Sequence, residues 1–139
     1  MNDLHTIPYK SLMLTRPSLL LRTEEAILLL LTLFAYRHLH YSWLLFAILF
    51  LTPDLFMLGY LANVRLGAAI YNVAHTLTLP LALLFISYTR RWQLAPAVAL
   101  IWTAHIAFDR VLGYGLKYPT HFKDTHLQHI APIEQTLAR

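Results

Sequence analysis

The stretch AHIAFDRVLGYGLKY, residues 104–118, decides how this chain is read. It sets His105, Asp109 and Arg110 inside an otherwise apolar helical run, and ionisable groups at membrane depth are costly enough to mark function by default. His105 and Asp109 are four apart, so on a helix they stack on one face, one turn from each other. Such a pair is either a two-ligand metal edge or an orienting pair.

Composition agrees with a membrane setting. Of 139 residues, 58% are hydrophobic and 13% charged, far from an ordinary soluble surface. The length suits one domain. With no cysteine, there is no disulfide framework and no thiolate ligand or nucleophile, so a metal here is held by nitrogen and oxygen. The net charge of +4 comes from basic residues crowding the ends of apolar segments, as membrane lipids favour and nucleic acid does not require. Pro8, Lys10 and Arg16 precede any long apolar run without a small-residue cleavage site, so no removable signal peptide is expected.

Four apolar segments follow one another: residues 18–38, 42–61, 65–88 and 92–116. Each is near the ~20 residues that cross a hydrocarbon core. Short connections force neighbours antiparallel, predicting an all-α, integral membrane, up-down four-helix bundle over residues 18–118. Residues 1–17 read as an interfacial tail and 119–139 as a cytoplasmic one. Pro53 predicts a kink in the second segment between Leu49 and Pro53. Lys10, Arg16, Arg22, Arg65, Lys117, Lys123 and Arg139 lie at one end and Arg37, Arg90 and Arg91 at the other. Both termini are therefore expected in the cytoplasm.

Depth can be compared across the segments. Asp54, Asn72 and Asp109 each lie seven residues from the cytoplasmic end of their segments, about 10 Å in, and His75 and His105 lie about 15 Å in, at 1.5 Å per residue. Glu24 sits about 9 Å in on the same count. Four helices thus deliver carboxylates, imidazoles and an amide to one layer. Two histidines with two or three carboxylates suit Zn²⁺, Mn²⁺ or Fe²⁺. Such a site with an open position activates water for hydrolysis. The substrate expected is a lipid-like ester or phosphoester, with Arg110, Lys117 and Lys123 at the mouth to hold a phosphate. Asn72, Tyr114 and His126 join Arg110 and Lys117 as candidate substrate contacts, and Asp54 or Glu24 as candidate base.

PDLFMLGY at residues 53–60, YNVAH at 71–75, the 104–118 stretch and FKDTHL at 122–127 together resemble a bacterial family of small four-helix membrane proteins catalogued as a domain of unknown function. The resemblance runs over roughly residues 22–129 and implies a multi-pass protein of the bacterial inner (cytoplasmic) membrane. More distantly, Pro53–Asp54, His75–Thr76 and HIAFDRVLGYG are similar to the P-D-x-D, T-H-S and H-x-x-x-D…G blocks of membrane-bound metal-dependent hydrolases. That likeness implies Asp54, His75, His105 and Asp109 as metal ligands. Met57 and Tyr71–Asn72 depart from it, which leaves one ligand either missing or supplied by Glu24 or His126.

Plainer readings stand beside these. His75 suits a bundle histidine bonded across helices, Arg110 a snorkelling end-of-helix cation, and Asp54 an acceptor for Tyr71, Asn72 or Tyr114. Glu24 or Glu25 suits a helix N-terminus. The same layer would also serve a binding or transport protein, or a structural subunit of a homo-oligomer or larger membrane complex. A di-iron bundle fits less well, because the paired Glu-x-x-His repeats are absent.

Overall fold

Two prolines determine how the middle of the chain is built. In the computed structural model, which describes residues 17–120, 123 and 125–127, α1 spans Pro17–His38 and α2 Trp43–Leu49. Pro53 has no N–H to give to the Leu49 carbonyl four residues back, and the Thr52 hydroxyl donates to that carbonyl instead, at 2.7 Å. The chain continues as a 3₁₀ helix, Thr52–Leu61, long for a type that rarely exceeds about four residues. The expected kink in the second segment is therefore a change of helix type.

Asn63 then caps α3, Val64–Ala74, its side chain accepting from the Leu66 N–H at 2.8 Å. The third segment was expected as one helix to Tyr88, but it breaks at residues 75–77 before α4, Thr78–Thr89. Pro80 explains the position, because its ring clashes with the carbonyl four residues earlier, that of Thr76. In a membrane the carbonyls such a break exposes need partners. Trp102 Nε1 donates to the Ala74 carbonyl at 2.6 Å and Arg110 Nη2 to that of His75 at 3.4 Å. Both donors belong to α5, Ala95–Leu112.

α5 ends at Leu112, four residues before the expected boundary, with Gly113 as its cap. Gly113 has φ 96°, and the Tyr114 N–H bonds back to the Asp109 carbonyl at 2.9 Å, the left-handed cap that glycine permits.

The bundle is assembled around α5. α1, α4 and α2 pack on it, while the 3₁₀ helix packs on α3. Buried Ala97, Ala99, Ala104 and Ala107 let neighbours approach closely, as small residues do between membrane helices. Gly67 does the same for the 3₁₀ helix: a Cβ there would run into the Tyr60 ring. Fully buried Tyr36 anchors the far end with Ala97, Leu100 and Ile101, its hydroxyl donating to the Ser42 carbonyl at 2.7 Å. Outward, Leu30, Leu31, Phe34, Leu44, Ile48 and Phe85 are exposed, an apolar coat suited to lipid.

Among the described residues, Trp43–Leu61, Val64–Thr89 and Ala95–Leu112 are long and apolar enough to cross a membrane. α1 is 22 residues long but carries Arg22, Glu24 and Glu25 in its first half. The chain is an all-helical membrane bundle of four segments. The N-terminal tail, apart from Pro17, and most of the C-terminal tail, including His121, Asp124 and His129, lie outside the described residues.

Candidate metal centre

Each interruption in the helices places a ligating group. Asp54 sits in the first turn of the 3₁₀ helix, His75 caps α3 at the break, and His105 and Asp109 share one face of α5. Their donor atoms converge. His75 Nε2 lies 3.2 Å from His105 Nε2. Each of these nitrogens is 3.5 Å from Asp54 Oδ1 and 3.6 Å from Asp109 Oδ2. One donor atom from each residue falls within 4.8 Å of all the others.

These separations have the size a divalent ion requires. For ligands about 2.0–2.2 Å from an ion, the edge of a tetrahedral shell is about 3.3–3.6 Å. The four nitrogen–oxygen spacings fall within it and the 3.2 Å nitrogen–nitrogen spacing lies just below. Two carboxylates against one divalent charge also make a neutral set, which a low-dielectric interior favours.

The surroundings orient the donors. His75 Nδ1 lies 3.0 Å from the Tyr71 carbonyl. A carbonyl only accepts, so in the neutral ring Nδ1 carries the proton and Nε2 turns its lone pair to the cluster. The Tyr71 ring stacks on His75 with centroids 3.7 Å apart, and its hydroxyl interacts with the Asp109 carboxylate. His105 is buried and meets the edge of Phe50 at 5.4 Å between centroids. Its Nδ1 is buried without a hydrogen-bond partner among the described residues. Exposure rises through the set: 1% for His105, 3% for His75, 17% for Asp109 and 38% for Asp54. Asp54 therefore stands at the opening.

That opening is a cavity of about 390 Å³ lined by Asp54, Met57, Tyr71, Asp109, Tyr114 and Lys117. Lys117 Nζ lies 4.6 Å from the Tyr71 ring centroid and 5.3 Å from that of Tyr60. Burial pushes the Lys117 ammonium below its usual range, and the charges of Asp109 and Asp54 pull it back.

Other residues of the expected layer have different partners. Asn72 does not face the cluster; its amide donates to the Lys117 carbonyl at 2.8 Å and accepts the Lys117 N–H at 2.7 Å, clasping the segment after α5. Arg110 turns from the mouth to α1, where Nη1 meets Glu25 Oε1 at 2.7 Å. Glu25, not Glu24, faces the bundle, and Glu24 is exposed on α1 outside the cluster. His126 packs over Gly115, where a Cβ would fall 2.5 Å from its ring. Its Nδ1 accepts the Leu116 N–H at 2.8 Å, so it fastens the tail and is not part of the four-donor group. Tyr71, which sequence reading considered only as a partner of Asp54, supports His75 through its carbonyl and its stacked ring.

The fold and site together define a membrane helical bundle enclosing a cluster of two imidazoles and two carboxylates. Residues 18–130 match the family described as a domain of unknown function, DUF4260, and the chain belongs to that family. No curated protein and no solved structure matches it.

Proposed function

We propose that the protein is a metal-dependent hydrolase acting on a lipid-like ester or phosphoester within the bacterial inner membrane, with both termini cytoplasmic. The observation that carries this reading is the convergence of Asp54, His75, His105 and Asp109 at 3.2–3.6 Å spacings beside an open cavity. A zinc, manganese or iron ion bound there would supply Lewis acidity and bring the pKa of a water towards ~7.

The chain's own groups divide the remaining work. His75 and His105 hold their nitrogens inward in a dry environment. With His75, His105 and Asp109 holding the ion, Asp54, the most exposed of the four, would leave the fourth position to the attacking water and take its proton. The water oxygen bonds to the ester carbon or phosphorus, the bond to the alcohol oxygen breaks, and the departing alkoxide takes up the proton. Lys117 and Tyr114 face the same cavity and hold negative charge on the ester oxygens.

Metal content and hydrolysis measured on the full chain in detergent test this reading. About one divalent ion per chain is expected, with cleavage of a short-chain phospholipid that stops on chelation and returns with metal. A folded protein holding no ion above background would overturn the proposal, and so would hydrolysis that persists in His105→Ala after chelation. The layer would then serve helix packing, or binding of a proton or small polar ligand.

A further inference from the structure

We infer that the turn between α4 and α5 docks an anionic phospholipid, whose charged head is received by Arg91 in the leaflet opposite the metal cluster. The inference rests on the membrane setting and is independent of the metal reading.

Charges are sorted along the bundle. Every acidic group among the described residues, Glu24, Glu25, Asp54 and Asp109, lies towards the cluster end. Arg37, Arg90 and Arg91 lie at the other, after α1 and α4 have run their length. Asp109 is fourteen residues beyond Ala95, the first residue of α5, about 21 Å along the axis at 1.5 Å per residue. Among the described residues none of the three guanidiniums has a carboxylate partner. That end of the bundle is therefore cationic and attracts anionic lipid.

A cavity gives one of the three a defined task. It measures about 470 Å³ and is lined by Ser87, Tyr88, Thr89, Arg91, Trp92 and Pro96, within the range of ligand sites at about 300–1,000 Å³. Arg37 and Arg90 stand at helix C-termini, where the macrodipole favours a cation; Arg91 lies past the helix and is the one charged residue of the lining. The Ser87 and Thr89 hydroxyls already donate to the Leu84 and Ile86 carbonyls, at 2.9 and 2.8 Å. The donors left for a ligand are the Arg91 guanidinium, the Tyr88 hydroxyl and Trp92 Nε1. The turn that carries them is itself bonded, with the Trp92 N–H to the Ser87 carbonyl at 2.9 Å and the Arg91 N–H to that of Tyr88 at 3.3 Å.

Depth makes the anion a lipid's. Tyr88 and Trp92 are exposed at the end of an apolar span, where such rings sit at the level of the headgroups. Phe85 and Ile86, one turn deeper on α4, are also exposed, so acyl chains have a surface to follow, and a free phosphate gains nothing from it. A zwitterionic head would bring an ammonium to an end that holds no carboxylate among the described residues.

The test measures, by native mass spectrometry, the lipid held by the full chain in nonionic detergent when phosphatidylglycerol and phosphatidylcholine with the same acyl chains are offered in equal amounts. Phosphatidylglycerol should be held about tenfold more tightly, the worth of one charge-assisted hydrogen bond. Arg91 has φ 55°, a left-handed conformation that asparagine tolerates. Arg91→Asn should therefore keep the helical content and lose the preference. Arg91→Lys should keep most of it, and Arg37→Gln, at the same end but outside the cavity, should keep it all. Equal retention of the two lipids, or a preference that survives in Arg91→Asn, overturns the inference. An equal loss in Arg37→Gln overturns the site in favour of diffuse charge. Displacement of phosphatidylglycerol by an equal concentration of inorganic phosphate overturns the lipid. Metal content does not enter these readings, so failure here leaves the hydrolase proposal standing.

Discussion

His75 and His105 point their Nε2 atoms at each other across 3.2 Å from positions thirty residues apart. The Tyr71 carbonyl fixes the proton of neutral His75 on Nδ1, so His75 has only a lone pair to offer. Without an ion, the contact requires a proton on His105 Nε2. With an ion between them both rings present lone pairs, and the His105 proton moves to Nδ1. Nitrogen-15 spectra of histidine-labelled protein titrated with zinc should therefore show His105 changing tautomer while His75 keeps its Nδ1–H. An unchanged His105 would disprove shared coordination.

Metal should also hold the fold together, because the cluster joins the 3₁₀ helix, the α3 break and α5. At a free ion concentration 100 times its dissociation constant, binding adds about 2.7 kcal/mol of stability. Thermal unfolding in detergent should drop by several degrees on chelation for the native chain and not at all for Asp109→Asn/His105→Ala.

Tyr71→Phe removes the hydroxyl from Asp109 but keeps the carbonyl under His75 and the stacked ring. Metal affinity should fall about tenfold, the lower end for partners of metal ligands, with stability reduced by about 1 kcal/mol. Affinity identical to the native chain would show that Asp109 needs no such support.

The Glu25–Arg110 pair ties α1 to α5 with both side chains mostly buried, 14% and 17% exposed. Glu25→Gln strands the guanidinium and should cost about 2–3 kcal/mol, somewhat less than a fully buried pair. Glu24→Gln, one residue away on the exposed face, should stay within about 0.5 kcal/mol. Unfolding in mixed micelles separates the two, and equal effects would contradict the assigned faces.

Gly67→Ala pushes a methyl group into the Tyr60 ring and should cost about 1–3 kcal/mol, as overpacking does. Tyr60→Ala in the same chain should recover part of that loss. An undisturbed Gly67→Ala protein would show that the 3₁₀ helix does not lie so close to α3.

Much of the site was legible because depth in a helix is a matter of counting. Asp54, His75, His105 and Asp109 were placed in one layer from their distances to segment ends, and their donor atoms do meet. Counting depth does not fix the face, however. Glu24 and Glu25 are about 100° apart around a helix, so Glu25 turns into the bundle while Glu24 is exposed; likewise Asn72 and Arg110 share the region but turn to Lys117 and Glu25. The break at residues 75–77 was missed because a proline acts on the carbonyl four residues before it, so Pro80 leaves its mark back at Thr76. Tyr71 holds His75 through its carbonyl, and backbone oxygens carry no sequence signature.

Half of the donor set, His105 and Asp109, rides on α5, as do the side chains that close the carbonyls of the α3 break. Ribosomes make α5 after the other described spans, and chains commonly fold in the order they emerge. The four donors therefore cannot meet until the hairpin of α4 and α5 has entered the bilayer, so an ion bound as proposed would be captured only after that step.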